Sequence, residues 1–334
     1  MKIFFVSIGD ELRASSRFRV YNTLRHNEWQ FDSYHYAVLV SGRCGLRGKI
    51  ARQFRYIYSF FLCLFCTYDT LVLQEVVYPK IAVAFLLNVR DIKLIFDFSD
   101  PLDQHLSSSK SFMSSILLKG FEFQVKNADY VFVENSLYQD LYDEANIIVS
   151  RGPVKVMERE YYDKGVSSDD IIRIAWTGSE GTLHYVKEYI PVLDDLASTL
   201  NIELNLIGTD KEFEVDNLSI KTYKWDLDIE KEILTKCHYG LFALPKEDAL
   251  KYRGGGKLFV YINYGLEILS NDFGIASQLS NDGVKLNFIS FDAASIRSVF
   301  TSASANNVSH NFEVLRKLYS QEAYIKSLSH CVLN

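Results

Sequence analysis

Short apolar runs and longer mixed segments alternate along this chain. Runs rich in β-branched and aromatic residues fall at 2–7, 70–74, 93–97, 130–134 and 147–150. Polar or turn-forming residues bound each one, as they bound buried parallel strands. Between them, apolar positions recur at helical spacing over 16–26, 52–65, 79–88 and 114–125. Around Arg151-Gly152-Pro153 the alternation gives way to a charged segment ending near Asp170. It then resumes, with strands expected at 172–176, 203–207, 240–244 and 266–269. Helices are expected at 186–200, 229–236, 258–264 and 311–329. Such alternation predicts parallel sheets covered on both faces. The expectation is an α/β protein of two Rossmann-like domains facing a central cleft. The first spans 1–155 and the second 156–310, and 311–334 forms a C-terminal helix returning to the first.

Composition narrows the class. A chain of 334 residues can hold two ordinary cores. With 48% apolar residues and only 5 prolines it is packed rather than disordered. A net charge of −6 argues against nucleic acid as a general partner, while leaving room for local basic patches. The 5 cysteines are odd in number and irregularly spaced, which argues against a disulfide framework and fits a reducing cytoplasm. Cys63-x-x-Cys66 lies in an apolar run and reads as packing. Residues 3–7 are too short for a leader, and no apolar run approaches the ~20 residues of a membrane span. A cytoplasmic protein is expected.

The candidate chemistry gathers at loops that follow strands, where α/β sheets bind ligands. Arg253-Gly254-Gly255-Gly256-Lys257 stands between an apolar run and a helix-length segment. Consecutive glycines allow close backbone approach, and two cations beside a helix start suit an anion. A surface loop with two solvated cations is the alternative. Gly178, Ser179 and Thr182 form a second strand–turn–helix of the same kind, and Gly208 follows the next strand. Trp225 follows another. Asp226-Leu227-Asp228 sits just before a helix and reads as favouring its N-terminus, so no metal is expected.

In the first half, Arg17 and Arg19 follow the first strand, either as anion-binding cations or as helix-surface charges. Asp97, Asp100 and His105 follow the third; carboxylates there orient hydroxyls or cap the next helix. Arg43, Arg47, Lys49, Arg52 and Arg55 precede an aromatic run at 56–65. The run is expected to be buried, and its basic flank to make a peripheral contact with an anionic membrane surface.

The order of these residues resembles the retaining GT-B glycosyltransferases of the large family four. Gly240-Leu241-Phe242-Ala243-Leu244, Arg253-Gly254 and Lys257-Leu258-Phe259-Val260-Tyr261-Ile262-Asn263-Tyr264-Gly265 follow that family's donor-site pattern. Ile174-Ala175-Trp176-Thr177-Gly178-Ser179 is similar to the opening of its donor domain, and Arg17-Phe18-Arg19 to its S-x-R-x-R segment. The resemblance implies a hexosyltransferase-type enzyme of bacterial surface-polysaccharide synthesis. Its donor would be a nucleotide-diphosphate sugar, used with retention and without a metal or other cofactor. Its acceptor would be a saccharide or lipid-linked, met at the inner face of the cell membrane. Asp100, Arg253 and Lys257 are the catalytic residues it implies. Gly178, Ser179, Thr182, Gly208, Trp225, Gly254, Gly255 and Gly256 would hold the donor, and Arg17, Arg19, Asp97 and His105 would lie on the acceptor side. Two positions depart from the pattern. Val260 and Tyr252 stand where the family has glutamates, one of which holds the ribose. Glu267 could replace the ribose carboxylate, or be a surface charge at a strand start. These departures keep open a catalytically impaired binding or scaffold protein.

Overall fold

The computed structural model describes residues 1–41, 45–152, 171–242, 244–290, 292–301 and 305–334. The charged segment expected to link the domains, together with Arg43, Cys44 and Ala243, lies outside them. The chain divides into two units. The first comprises Met1–Lys155, Tyr252–Gly254 and Tyr319–Asn334; the second comprises Val156–Lys251 and Gly255–Leu318.

The first unit opens with β1 (Lys2–Ser7), α1 (Ala14–Ser16), a π-helical turn (Arg17–Tyr21), α2 (Asn22–Arg25) and β2 (Asp32–Ala37). Next come α3 (Gly45–Phe65), β3 (Thr70–Gln74), α4 (Lys80–Val89), β4 (Lys93–Phe98), α5 (Leu102–Ser108) and α6 (Phe112–Asn127). β5 (Tyr130–Val133), α7 (Leu137–Leu141) and β6 (Ile147–Val149) complete the run. The strands form one parallel sheet in the order β2-β1-β3-β4-β5-β6.

Successive strand residues point to opposite faces, and both faces are apolar. Phe4, Val6, Leu71, Leu73, Phe96 and Phe98 pack beneath α3, α4 and α6. Ile3, Phe5, Val72, Ile95 and Phe132 face the other way, against Tyr324, Leu328, Cys331 and Val332. Those four belong to the last helix of the chain, which lies in this unit. β2 escapes the apolar pattern because it is an edge strand with alternate residues in solvent.

α3 starts earlier than its apolar pattern suggests, and it corrects the expectation that the aromatic run is buried. Ser59 and Cys63 are buried, whereas Ile57, Tyr58, Phe61 and Phe65 are exposed. A helix turns one face in every 3.6 residues, so an unbroken apolar run cannot all be inside when only one face meets the sheet. Cys63 itself is core, its thiol pushed up to about 12 by burial.

The second unit runs β7 (Ile172–Thr177), α8 (Leu183–Lys187), α9 (Ile190–Ala197), β8 (Ile202–Ile207), β9 (Ser219–Tyr223), α10 (Leu227–Leu234) and β10 (Tyr239–Phe242). It continues with α11 (Gly256–Asn263), β11 (Glu267–Ser270), α12 (Ile275–Asn281), β12 (Asn287–Phe288), α13 (Ala293–Thr301) and α14 (Ala305–Leu318). A parallel sheet again results, in the order β12-β11-β10-β7-β8-β9. The helix expected over 186–200 is two helices, because Pro191 sits in the first turn of α9 and supplies no N–H to continue α8. The terminal stretch likewise divides into α14 and α15 (Gln321–Leu333), where the Ser320 hydroxyl accepts from Ala323 N at 3.2 Å and caps a new start. α11 ends at Gly265, whose φ of 68° supports a Schellman closure. Leu266 N donates to Tyr261 O and Gly265 N to Ile262 O, both at 3.0 Å.

Candidate functional site

Since all strands of the second sheet are parallel, their C-terminal ends lie along one edge. β7 ends at Thr177, and Gly178 N extends its ladder to Ile207 O at 2.9 Å. β8 ends beside it at Gly208, whose N donates to Tyr223 O at 2.7 Å. The two glycines meet. Gly208 has φ +108°, and a Cβ there would overlap the carbonyl oxygen of Gly178. A Cβ on Gly178 would lie 2.5 Å from Lys257 Nζ and 2.5 Å from Trp176 Cζ2. The absence of both side chains lets the two turns close up and leaves room for an ammonium above them.

That ammonium belongs to Lys257, in the first turn of α11. Its Nζ lies 4.4 Å from the Trp176 ring centroid and 3.4 Å from Thr182 Oγ1. Gly255 is buried under Ile275 and Phe259, while a Cβ on Gly256 would meet nothing within 4 Å. One fixed cation, a hydroxyl, a glycine helix start and two glycine turns therefore share one small region. Such a set suits an anion with several oxygens. Ser179 is exposed in the same turn, where its carbonyl accepts from Thr182 Oγ1 at 3.0 Å.

A buried layer holds this edge in place. Thr177 N donates to Tyr261 Oη at 2.9 Å, and Thr177 Oγ1 to Glu230 Oε1 at 2.6 Å. Trp225 Nε1 donates to that same carboxylate oxygen at 3.2 Å, which fixes the indole beside the edge. Burial drives the Tyr261 hydroxyl well above its ordinary pKa, so it stays a neutral donor and acceptor. Asn271 brackets Leu244, accepting from its N at 3.2 Å and donating to its O at 2.5 Å. Asp226 caps α10 by accepting from Asp228 N at 2.9 Å. Among the described residues, no group of three His, Cys, Asp or Glu side chains could hold a metal ion.

No family model matches the chain, and no curated protein matches it. Solved structures do, end to end. The lipopolysaccharide outer core galactosyltransferase WaaB is 12% identical with a TM-score of 0.61, covering 100% of this chain and 99% of that one. The Anabaena protein HepE, in complex with UDP and glucose, is 12% identical with a TM-score of 0.64, covering 100% of both. The sucrose-phosphate synthase of Thermosynechococcus elongatus is 10% identical with a TM-score of 0.66, covering 98% of this chain and 97% of that one. The chain has the GT-B fold. At these identities the likeness is one of fold.

Within this GT-B chain the expected site residues divide. Gly178, Ser179, Thr182, Gly208, Gly255, Gly256, Lys257 and Trp225 lie along one edge of the second sheet. Arg253 and Gly254 count with the first unit. There Asn135 Nδ2 donates to Arg253 O at 3.2 Å, and Arg253 Nε lies 3.9 Å from Asp100 Oδ1. A Cβ on Gly254 would stand 2.8 Å from Ser99 O and overlap the Glu134 carboxylate.

Glu267 is elsewhere. It pairs with Tyr239, which pairs with Ile174. Gly178 is four residues beyond Ile174, so Glu267 stands back from the glycine edge by roughly 13 Å at the usual strand rise. Its carboxylate accepts from Asn287 Nδ2 at 3.1 Å. Of its two readings the charge at a strand start fits and the ribose role does not, because it begins β11 where the glycine turns end their strands. Glu267→Gln should therefore leave nucleotide affinity within roughly twofold of the parent by calorimetry.

Arg19 and Asp97 also depart from expectation. Both are about 1% exposed, joined at 2.5 Å. Arg19 further meets Glu134 at 3.4 Å and Ser150 O at 2.7 Å, and Tyr324 Oη donates to Asp97 Oδ2 at 2.7 Å. Burial opposes the Arg19 charge, but the carboxylates of Asp97 and Glu134 outweigh it and hold the guanidinium protonated. The pair is a buried brace between the strand ends and α15, with neither charge presented to a ligand. Arg17 is largely buried too, and its guanidinium donates to Glu11 O at 3.3 Å. Asp100 is partly exposed, and His105 is exposed on α5.

Two buried carboxylates carry little or no signal in the sequence. Glu230 resembles any surface acid on a helix, and only the fold turns it toward Thr177. Glu75 had a signal, since it directly follows an apolar strand as Asp97 nearly does. It holds φ +55°, a conformation side chains other than glycine adopt at a cost. Its carboxylate is enclosed by Arg13 Nη2 at 3.1 Å, Ser15 Oγ at 3.1 Å and Ser99 Oγ at 2.7 Å. Burial, aided by the charge of Asp100, raises its pKa against the pull of Arg13 and the serines. Nearby, a cavity of about 460 Å³ opens between the loops after β1 and β2 and the start of α3, with Arg13, Lys49 and Arg52 in its lining.

Proposed function

We propose that this protein is a glycosyltransferase taking a hexosyl group from a nucleoside diphosphate sugar. The observation that carries the reading is the Lys257 ammonium held over Gly178, beside the Gly178–Gly208 contact. HepE, of the same fold, was solved with UDP and glucose, which supports a donor of this class. As the sugar leaves, negative charge builds on the diphosphate. A cation already in place stabilises that charge without reorganising. The start of α11 adds N–H donors to the same region, the Thr182 hydroxyl accepts from Lys257, and Trp225, fixed by Glu230, offers a flat face for the base.

On this reading the first unit holds the acceptor, with Asp100 assisting its hydroxyl and Arg17 and His105 on its flanks. Arg253, 3.9 Å from Asp100, adds a cation on that same side. We place the acceptor among saccharides and lipid-linked saccharides of bacterial surface-polysaccharide synthesis, reached from the cytoplasmic side, with retention of anomeric configuration. The reaction is proposed to need no metal, Lys257 supplying the charge a cation would otherwise bring.

Product analysis tests this directly. Incubation with UDP-, GDP- and dTDP-linked hexoses and a saccharide acceptor panel should give a glycoside whose yield survives excess chelator. Strict dependence on magnesium or manganese would sink the metal-free reading. Val260 keeps a second reading in view, since α11 carries no carboxylate there for a ribose. Tight nucleotide binding with no product across the panel would favour that binding protein.

A further inference from the structure

α3 spans 21 residues and carries two contrasting faces. One packs into the core through Ser59 and Cys63, flanked by Tyr56 and Phe60. The other exposes Leu46, Ile50, Phe54, Ile57, Phe61 and Phe65, with Leu46 at 74% and Phe65 at 78%. Their spacing of three and four residues makes one stripe, about 28 Å long at the helical rise. α4 adds a second stripe, Ile81, Phe85 and Val89, all exposed. The two helices are tied at their ends, where Arg90 Nη1 donates to Leu64 O at 2.7 Å and Cys66 O at 2.8 Å. Single exposed apolar residues are ordinary, but aligned rows of large ones mark a contact surface.

Charge says what the contact is. The whole chain is acidic, at −6. α3 nevertheless carries Arg47, Lys49, Arg52 and Arg55 and no acidic side chain. Arg55 is turned inward, donating to the Ala37 and Val38 carbonyls, while Arg47, Lys49 and Arg52 are exposed, the last two also lining the cavity at the start of α3. An apolar stripe with cations beside it is the composition of a helix lying in a lipid interface. Among the described residues, no helix is long and apolar enough to cross a membrane. A two-fold pairing of this face with a second copy would set these cations against themselves, with no acid on the helix to answer them.

We infer that the α3–α4 face rests on an anionic lipid surface, with Leu46, Phe54, Phe61 and Phe65 entering the headgroup boundary. This holds whether or not the second unit transfers sugar, so the two readings fail separately.

The test is flotation with phosphatidylcholine vesicles carrying about a third phosphatidylglycerol, against vesicles of phosphatidylcholine alone. The protein should bind the anionic vesicles and lose most of that binding at high salt. The triple variant Phe54→Ser/Ile57→Ser/Phe61→Ser should bind at least roughly tenfold more weakly. Its circular dichroism and calorimetric melting should match the parent's, which shows that the first unit, where α3 lies, still folds. Arg47→Gln/Lys49→Gln/Arg52→Gln should lose the preference for anionic lipid. In the unaltered protein, amide exchange along α3 should slow when anionic vesicles are added. Absence of vesicle binding, equal binding to neutral vesicles, or full binding by the serine variant would overturn the inference. So would a dimer in solution that the serine substitutions dissolve.

Discussion

Lys257→Ala should lower affinity for a nucleoside diphosphate by roughly 1.5–3 kcal/mol, about tenfold to a hundredfold in Kd. The ammonium stands over Gly178 and within reach of Thr182, and removing it takes a positive charge from that edge of the second unit. Turnover should fall further than donor binding, because charge on the leaving diphosphate is greater in the transition state than in the bound donor. The side chain also rests on Trp176, so a loss of stability of about 0.5–1 kcal/mol should accompany the change. Lys257→Arg keeps the charge but not the shape, and the space above Gly178 is narrow. It should recover part of the affinity and little of the rate. Titration calorimetry with UDP, GDP and dTDP reads the first effect. Equal affinity in Lys257→Ala and parent for each nucleotide would remove this edge from the donor site.

How much of this was visible in the sequence depends on what each residue touches. β1, β3, β4, β7 and β8 are legible because a strand buried on both faces must be apolar throughout. β2 was not, because an edge strand keeps half its side chains in solvent. Gly178, Gly208 and Lys257 could be named from their places after strands and before a helix, and the structure brings them together. Their mutual dependence was hidden, since only coordinates show that one glycine's missing Cβ makes room for the other's carbonyl. The sequence offers Arg19 as a ligand-binding cation or a helix-surface charge, and Asp97 as an acid for a hydroxyl or a helix cap. They are 78 residues apart, and no local pattern shows that each is the other's counter-ion. Counting along the chain sets Glu267 beside the glycine loop in sequence only. Strand direction decides which edge a residue occupies, and it puts Glu267 at the far one. The aromatic run of α3 reads as buried because a run gives no hint of which third of it faces out.

Gly208→Ala should be the most damaging single substitution at the candidate site, and for reasons of backbone alone. At φ +108° an alanine costs about 1–3 kcal/mol even with open space around it. Here the new methyl would also overlap the carbonyl oxygen of Gly178, which is main chain and cannot rotate aside. Relief requires the ends of β7 and β8 to part, against the bond from Gly178 N to Ile207 O. A total near 3 kcal/mol or more is expected, lowering Tm by roughly 6–12 °C for a domain of this size. Shifting Gly178 also moves the floor under Lys257, so nucleotide binding should weaken at temperatures where the variant is still folded. Gly256→Ala is the matched control. It adds the same methyl at the start of α11 where nothing lies within 4 Å, and should change stability by less than about 1 kcal/mol, most simply as a gain. Calorimetric melting of both variants separates the two cases. If Gly208→Ala melted within a degree or two of the parent, the close meeting of the two glycine turns would not exist in solution, and the geometry argued for Lys257 would lose its footing.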